Sequence, residues 1–323
     1  MKKYLFLTLI LLLVVSFAGC GGNASRKSSS SITPPDGSKA HPYRVATVAD
    51  LKVVGSGVGG WTLDKCYVQT ADIDMAGSGK WTPIGSDFAP FTGSYDGRGY
   101  VIRNLTLEEV DYQGFFRVIG TGAELTDIHL ESVRCEGANQ MGWLVGNMLD
   151  GTVTGCSAEG SNSGYCKYGG GLISQVTAGS ISRCYSAGGL SGSIYDVGGL
   201  IGTNLGGTVN DCYSTAAVSG TSNRYSGGLV AVNKGVIIRC FSAGYVRGGD
   251  GDDTGAAVGG LIASNSGTVT DCYYDTTISG QSDTGKGESK TTTEMQDQST
   301  YAGWDFASVW QISPGEYPRL RAR

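Results

Sequence analysis

Residues 198–220 read GGLIGTNLGGTVNDCYSTAAVSG, and the phrase returns along the chain. Its core, Gly-x-[Val/Ile]-x-x-Cys, occurs as GTVTGC ending at Cys156, GSISRC at Cys184, GTVNDC at Cys212, GVIIRC at Cys240 and GTVTDC at Cys272, with cysteines 28, 28, 28 and 32 residues apart. A leucine in a glycine-rich frame precedes each by 11 or 12 residues, at Leu144, Leu172, Leu200, Leu229 and Leu261. An earlier, degenerate copy places Phe116 and Ile128 in the Leu and Cys positions. A fixed period of this size marks a stack of identical units, none of which buries its inner face alone. Twenty-eight residues without helical periodicity lay out as three short strands and three turns, and such coils stack at about 4.8 Å. The expected fold is all-β, a right-handed parallel β-helix of about eight coils, roughly 40 Å long at that spacing.

Alternation within one coil assigns faces. Cys212, Ser214, Ala216 and Val218 are smaller and more apolar than Tyr213, Thr215, Ala217 and Ser219, so the first set is placed inward. Cys156, Cys184, Cys212, Cys240 and Cys272 then form a buried ladder of small hydrophobes. Stacked cysteines also fall inside the Cα window for a disulfide; a straight row cannot surround zinc tetrahedrally. The glycine pairs before each leucine are expected to allow positive φ at a corner and close coil contact. Asn204, Asn233 and Asn265, each four residues after a leucine, are expected to stack as amides.

The repeat carried by residues 198–220 resembles the GLUG motif of bacterial surface proteins. ADIDM at 71–75, WTPIG at 81–85, FTGSYDG at 91–97 and YVIRNL at 100–105 are similar to the segment that precedes such repeats, and GWDF at 303–306 with YPRL at 317–320 is similar to the ending. The resemblance spans roughly residues 43–323 and implies an adhesin-like, extracellular role. Some proteins with this motif carry a zinc-dependent IgA protease, which needs a His-Glu-x-x-His helix. The two histidines here, His41 and His129, are not followed by Glu, so that activity does not carry over.

Composition agrees. The chain has 323 residues, 53 glycines, 7 prolines, 40% hydrophobic residues and a formal charge of −5. Glycine at about twice its usual share opposes long helices, the apolar content opposes disorder, and the acidic balance makes nucleic acid an unsuitable partner. Lys2 and Lys3, an apolar run from Leu5 to Val15 and the Phe17-Ala18-Gly19-Cys20 junction resemble a bacterial lipoprotein signal. That resemblance implies signal residues 1–19 and acylation of Cys20, with palmitate among the chains, anchoring the protein to a membrane. Gly21 in place of Asp implies an outer-membrane or surface location facing outward. Without residues 1–19 the chain has 22 basic and 29 acidic residues, a formal −7. Residues 20–42, Ser-rich and aperiodic, read as a tether, residues 43–280 as the β-helix, with its clearest copies at 142–280, and residues 281–323 as a C-terminal cap. Within the cap, Thr291 and Glu294 form a capping box that opens a short helix to about Tyr301, and Trp304, Phe306, Trp310 and Tyr317 are the densest aromatic cluster.

The residues after the ladder cysteines are Ser157, Tyr185, Tyr213, Phe241 and Tyr273. With the cysteines inward, Tyr185, Tyr213, Phe241 and Tyr273 form an outward aromatic stripe suited to sugar rings or a protein surface. Asp250, Asp252 and Asp253 make a solvated turn with weak Ca²⁺ potential, lacking EF-hand spacing. Asp72, Asp74, Asp87 and Asp96 fit turn chemistry. No catalytic residue, metal centre or cofactor follows from the sequence. The expected role is structural or adhesive, towards glycans or proteins; the alternative is a carbohydrate-active enzyme, a lyase or glycosidase, which would need paired carboxylates in a groove.

Overall fold

The computed structural model describes residues 34–107, 111–162, 164–192, 194–220, 224–248 and 257–322. Cys20 and the signal, as well as Asp250, Asp252 and Asp253, lie outside the described residues. The body is a parallel β-solenoid of about eight turns. Each repeat coil supplies four strands rather than three, because the long outer stretch divides at a corner. In the coil of Cys212 they are Ile201–Asn204, Thr208–Asn210, Tyr213–Ser214 continuing as Ala217–Gly220, and Tyr225–Gly227. Stacked through the molecule, these form a first sheet of 6 strands, a second of 9, a third of 11 and a fourth of 5. Pairing within the repeats is parallel and in register, Tyr185 on Tyr213 and Val209 on Ile237. Cys212, Ser214, Ala216 and Val218 are buried and Thr215 is exposed, as the alternation predicts.

The degenerate copy is shifted by one residue. Phe116 pairs with Val145, so Phe115 rather than Phe116 holds the leucine position, while Ile128 remains in line with Cys156. The corner between Ile119 and Glu124 takes the extra residue, helped by the left-handed Gly122 at φ 89°.

The glycine pairs act by close approach alone, since none of them lies at positive φ. A Cβ on Gly198 would stand 2.0 Å from the Ile201 carbonyl oxygen, and one on Gly199 2.2 Å from that of Gly228. Positive φ falls instead at the next-but-one corner, on Asp127, Gly155, Arg183, Asp211, Arg239 and Asp271, each just before the Cys position.

The asparagine ladder is present. Asn204 Nδ2 donates to Asn233 Oδ1 at 2.9 Å and Asn233 Nδ2 to Asn265 Oδ1 at 2.8 Å, while each Oδ1 accepts from the Gly N–H two or three residues on. The ladder cysteines Cys156, Cys184, Cys212, Cys240 and Cys272 are unbridged and buried. Cys184, Cys212 and Cys240 each donate Sγ–H to the carbonyl two residues earlier, at 3.1–3.2 Å. Cys212, Cys240 and Cys272 also accept the previous ladder cysteine's N–H at 3.4 Å. A thiol thus satisfies a corner that an aliphatic chain would leave unpaired. Burial lifts the Cys156, Cys212 and Cys272 thiols well above the ordinary range, which keeps them protonated and unreactive.

Residues 36–42, read as tether, form a turn whose Gly37 carbonyl accepts from Cys66 N at 2.8 Å. The helix Val48–Val53, capped by Thr47 and Asp50, buries Leu51 in the core. At the C-terminal end Thr291 and Glu294 make the expected capping box, but the helix is only Thr292–Met295. It stops early because Asp297 caps a separate turn, Gln298–Thr300. A further short helix, Thr276–Ser279, is capped by Asp275 and ended by left-handed Gly280.

Candidate functional site

One column of the third sheet runs through consecutive coils as His129, Ser157, Tyr185, Tyr213, Phe241 and Tyr273. The inward cysteines turn these side chains out, and the rings stack: Tyr185 on Tyr213 at 4.9 Å and 5°, Tyr213 on Phe241 at 4.9 Å and 3°. The expected stripe is therefore real, yet its C-terminal half is not open. Phe241 is fully buried and Tyr273 is 7% exposed, packed with Met295, Tyr301, Trp304, Val309 and Trp310. Trp310 lies 6.0 Å from the Phe241 ring and 6.1 Å from the Tyr213 ring. An outward row of rings gives the aromatic residues of 301–320 an apolar surface to bury, and the C-terminal segment lies against it along the flank of the coils.

Polar groups fix this cover. The buried Asp275 carboxylate accepts from Thr277 N, Ile278 N, Thr292 Oγ1 at 2.7 Å and the Tyr317 hydroxyl at 2.6 Å. Burial, reinforced by that carboxylate, pushes the Tyr317 phenol up to about 12. Trp304 Nε1 donates to the Asp271 carbonyl at 3.1 Å and Trp310 Nε1 to Asp211 Oδ1 at 3.3 Å.

The cover ends before Tyr185. There a groove of about 470 Å³ opens, walled by Asp96, Arg98, Asp127, His129, Gly155, Arg183, Tyr185 and the C-terminal residues Leu320–Ala322. Tyr185 and Leu320 also border a second hollow of about 690 Å³ that continues beside Tyr213 and Thr215 under residues 315–320. Tyr185, Tyr213 and Phe241 all line this hollow, but only Tyr185 and Tyr213 of the three retain exposed surface. His129 Nδ1 is 2.7 Å from Ser157 Oγ, and burial lowers the imidazole pKa below its usual value, so the ring is neutral at pH 7.

The left-handed corner column flanks this groove in the order Asp127, Gly155, Arg183, Asp211, Arg239, Asp271. Arg239 takes both oxygens of Asp211 at 2.8 Å each. Arg183 consequently faces an occupied carboxylate on one side and a missing side chain on the other, and among the described residues it forms no ion pair. Arg321 directs Nε to the Trp310 carbonyl at 2.8 Å and Nη2 to that of Phe306 at 2.9 Å. Sequence reading missed this constellation, although the charge order one residue before each cysteine was there to find it.

The remaining candidates separate from the groove. Asp74 accepts from Ala76 N, the local contact that turn chemistry implies, and from Asn104, whereas Asp72 accepts from Val101 N and Arg103 and Asp87 pairs with Arg117, contacts between neighbouring coils rather than within a turn. Asp96 joins the groove while capping Arg98 N. Among the described residues no three His, Cys, Asp or Glu side chains gather as a metal-holding group.

Within this parallel β-solenoid, residues 193–219 match the GLUG motif. The chain is 31% identical over 149 residues, 42% of its length, to Halomucin of Haloquadratum walsbyi, and 48% identical over 52 residues, 16% of its length, to a provisionally named Gly-rich membrane protein of Evansella cellulosilytica. It spans only 2% and 6% of those relatives. A provisionally named immunoglobulin A1 protease of Bacteroides ovatus shares the fold, with a TM-score of 0.66, 19% identity, and coverage of 90% of this chain and 95% of that one.

Proposed function

We propose that this protein is a lipid-anchored cell-surface module that binds a glycan or a surface protein through the groove at Tyr185. The carrying observation is the groove itself: a flat ring left beside the end of the cover, on a rigid sheet, with convergent polar groups around it. Concave sites that join an aromatic platform to a few fixed hydrogen-bonding groups suit ligand capture. The relative named as a membrane protein supports an envelope location; the Cys20 junction supports an acyl anchor, displayed outward because Gly21 follows it. A glycan array probed with the full chain in detergent tests the reading. Binding that falls at least tenfold in Tyr185→Ala is expected, and binding indifferent to that change overturns it. Release of new reducing ends from a bound polysaccharide would turn the reading to the carbohydrate-active enzyme.

A further inference from the structure

The chemistry of the groove narrows its ligand, given the reading that the groove is the binding site. The aromatic column breaks at Ser157, so the Tyr185 face turned away from Tyr213 carries no ring among the described residues. The next ring in the column is His129, two coils from Tyr185, about 9.6 Å at 4.8 Å per coil. That interval is the spacing of a stack with one ring left out. His129 does not swing freely, because its Nδ1 is engaged with Ser157 Oγ.

The charge column breaks beside the same place. Gly155 contributes no side chain in the coil between Asp127 and Arg183, and Asp211, the carboxylate on the far side of Arg183, is held bidentately by Arg239. Arg98 is paired with Asp96 at 3.5 Å. Arg321 is fixed by two main-chain carbonyls, which orient its guanidinium without neutralising it. The groove cations outside an ion pair among the described residues are therefore Arg183, which shares the field of the exposed Asp305 carboxylate, and Arg321, within a chain whose formal charge is −5.

We propose that the groove takes a uronic acid residue of an acidic glycan, its pyranose ring against Tyr185 and its carboxylate on Arg183, with Arg321 adding charge. A guanidinium binds a carboxylate by two parallel N–H···O bonds. Asp96 and Asp127 favour a sugar over an acidic peptide, because they accept from ring hydroxyls and repel a run of carboxylates.

Calorimetry on the full chain in detergent, with a panel of uronate oligosaccharides and their methyl esters, tests this. Esterification keeps the ring and removes the charge. Wild type is expected to bind at least one acid tenfold or more tightly than its ester. Arg183→Gln should bring acid and ester together, Arg183→Lys should restore part of the preference, and Tyr185→Ala should weaken both. Equal binding of acid and ester that is lost in Tyr185→Ala overturns the uronate assignment while leaving the groove reading intact. Binding unaffected by Tyr185→Ala overturns both, and binding of an acidic peptide but of no saccharide overturns the uronate assignment. Unchanged thermal unfolding of Arg183→Gln separates loss of the cation from loss of the fold.

Discussion

The two halves of the outward column obey the same register and have opposite fates. Phe241 and Tyr273 are buried beneath Trp304, Trp310, Tyr301 and Tyr317, and Tyr213 is partly covered by Trp310. At Tyr185 and His129 the same column stands beside a groove. Strand geometry does not distinguish them, since both halves have in-register parallel neighbours. What differs is the side chain: Ser157 replaces a ring and Gly155 replaces a charged corner residue, so the open half offers the C-terminal segment less to pack against. A repeat protein can thus divide one continuous face into a structural part and a recognition part by two substitutions.

Removing residues 281–323 is the strongest way to break this contrast. It bares Tyr213, Phe241 and Tyr273 together with the strand Tyr273–Asp275, whose partner Glu288–Lys290 is lost. Exposed rings beside a free edge strand favour association, so the truncated chain is expected in the insoluble fraction; a soluble monomer in sedimentation would show that the cover is dispensable. A smaller effect sharpens the contrast. Trp310→Ala is expected to cost about 3–5 kcal/mol, as for other fully buried large aromatics, whereas Tyr185→Ala, half-exposed and with one stacked neighbour, should cost about 1 kcal/mol. Denaturant titration of the two variants reads the difference, and equal losses would erase the distinction between the halves. The smallest effect lies in the open half alone. Burial lowers the folded-state pKa of His129, against the opposing pull of Asp127 and Glu131. The unfolded chain therefore binds the extra proton first, and stability present above pH 6.5 declines as pH falls through the unfolded value. Thermal unfolding followed from pH 7.5 to 5 should show a component that disappears in His129→Gln.

Legibility followed periodicity. The cysteine spacing announced coils, the alternation around Cys212 gave their inner face, and the leucine-to-asparagine offset gave the amide ladder, because in a stacked parallel solenoid each such position meets only its own copies. Corners were less legible. Left-handed backbone fell on Arg183, Asp211 and Arg239, of which Asp211 and Arg239 pair with each other, while the glycine pairs served close packing. The fourth sheet was also hidden, since its boundary is a bend within one long outer stretch. The helix Val48–Val53 and the brevity of Thr292–Met295 depended on caps read too sparingly.

Sequence by itself therefore determined the stacked coil, the inward thiols and the outward rings, because these are properties of a repeat meeting itself at a fixed spacing. Only the tertiary structure decided which rings remain beside solvent. That choice rests on contacts between segments far apart in the chain, Trp310 with Asp211 and Tyr317 with Asp275, which no local period encodes.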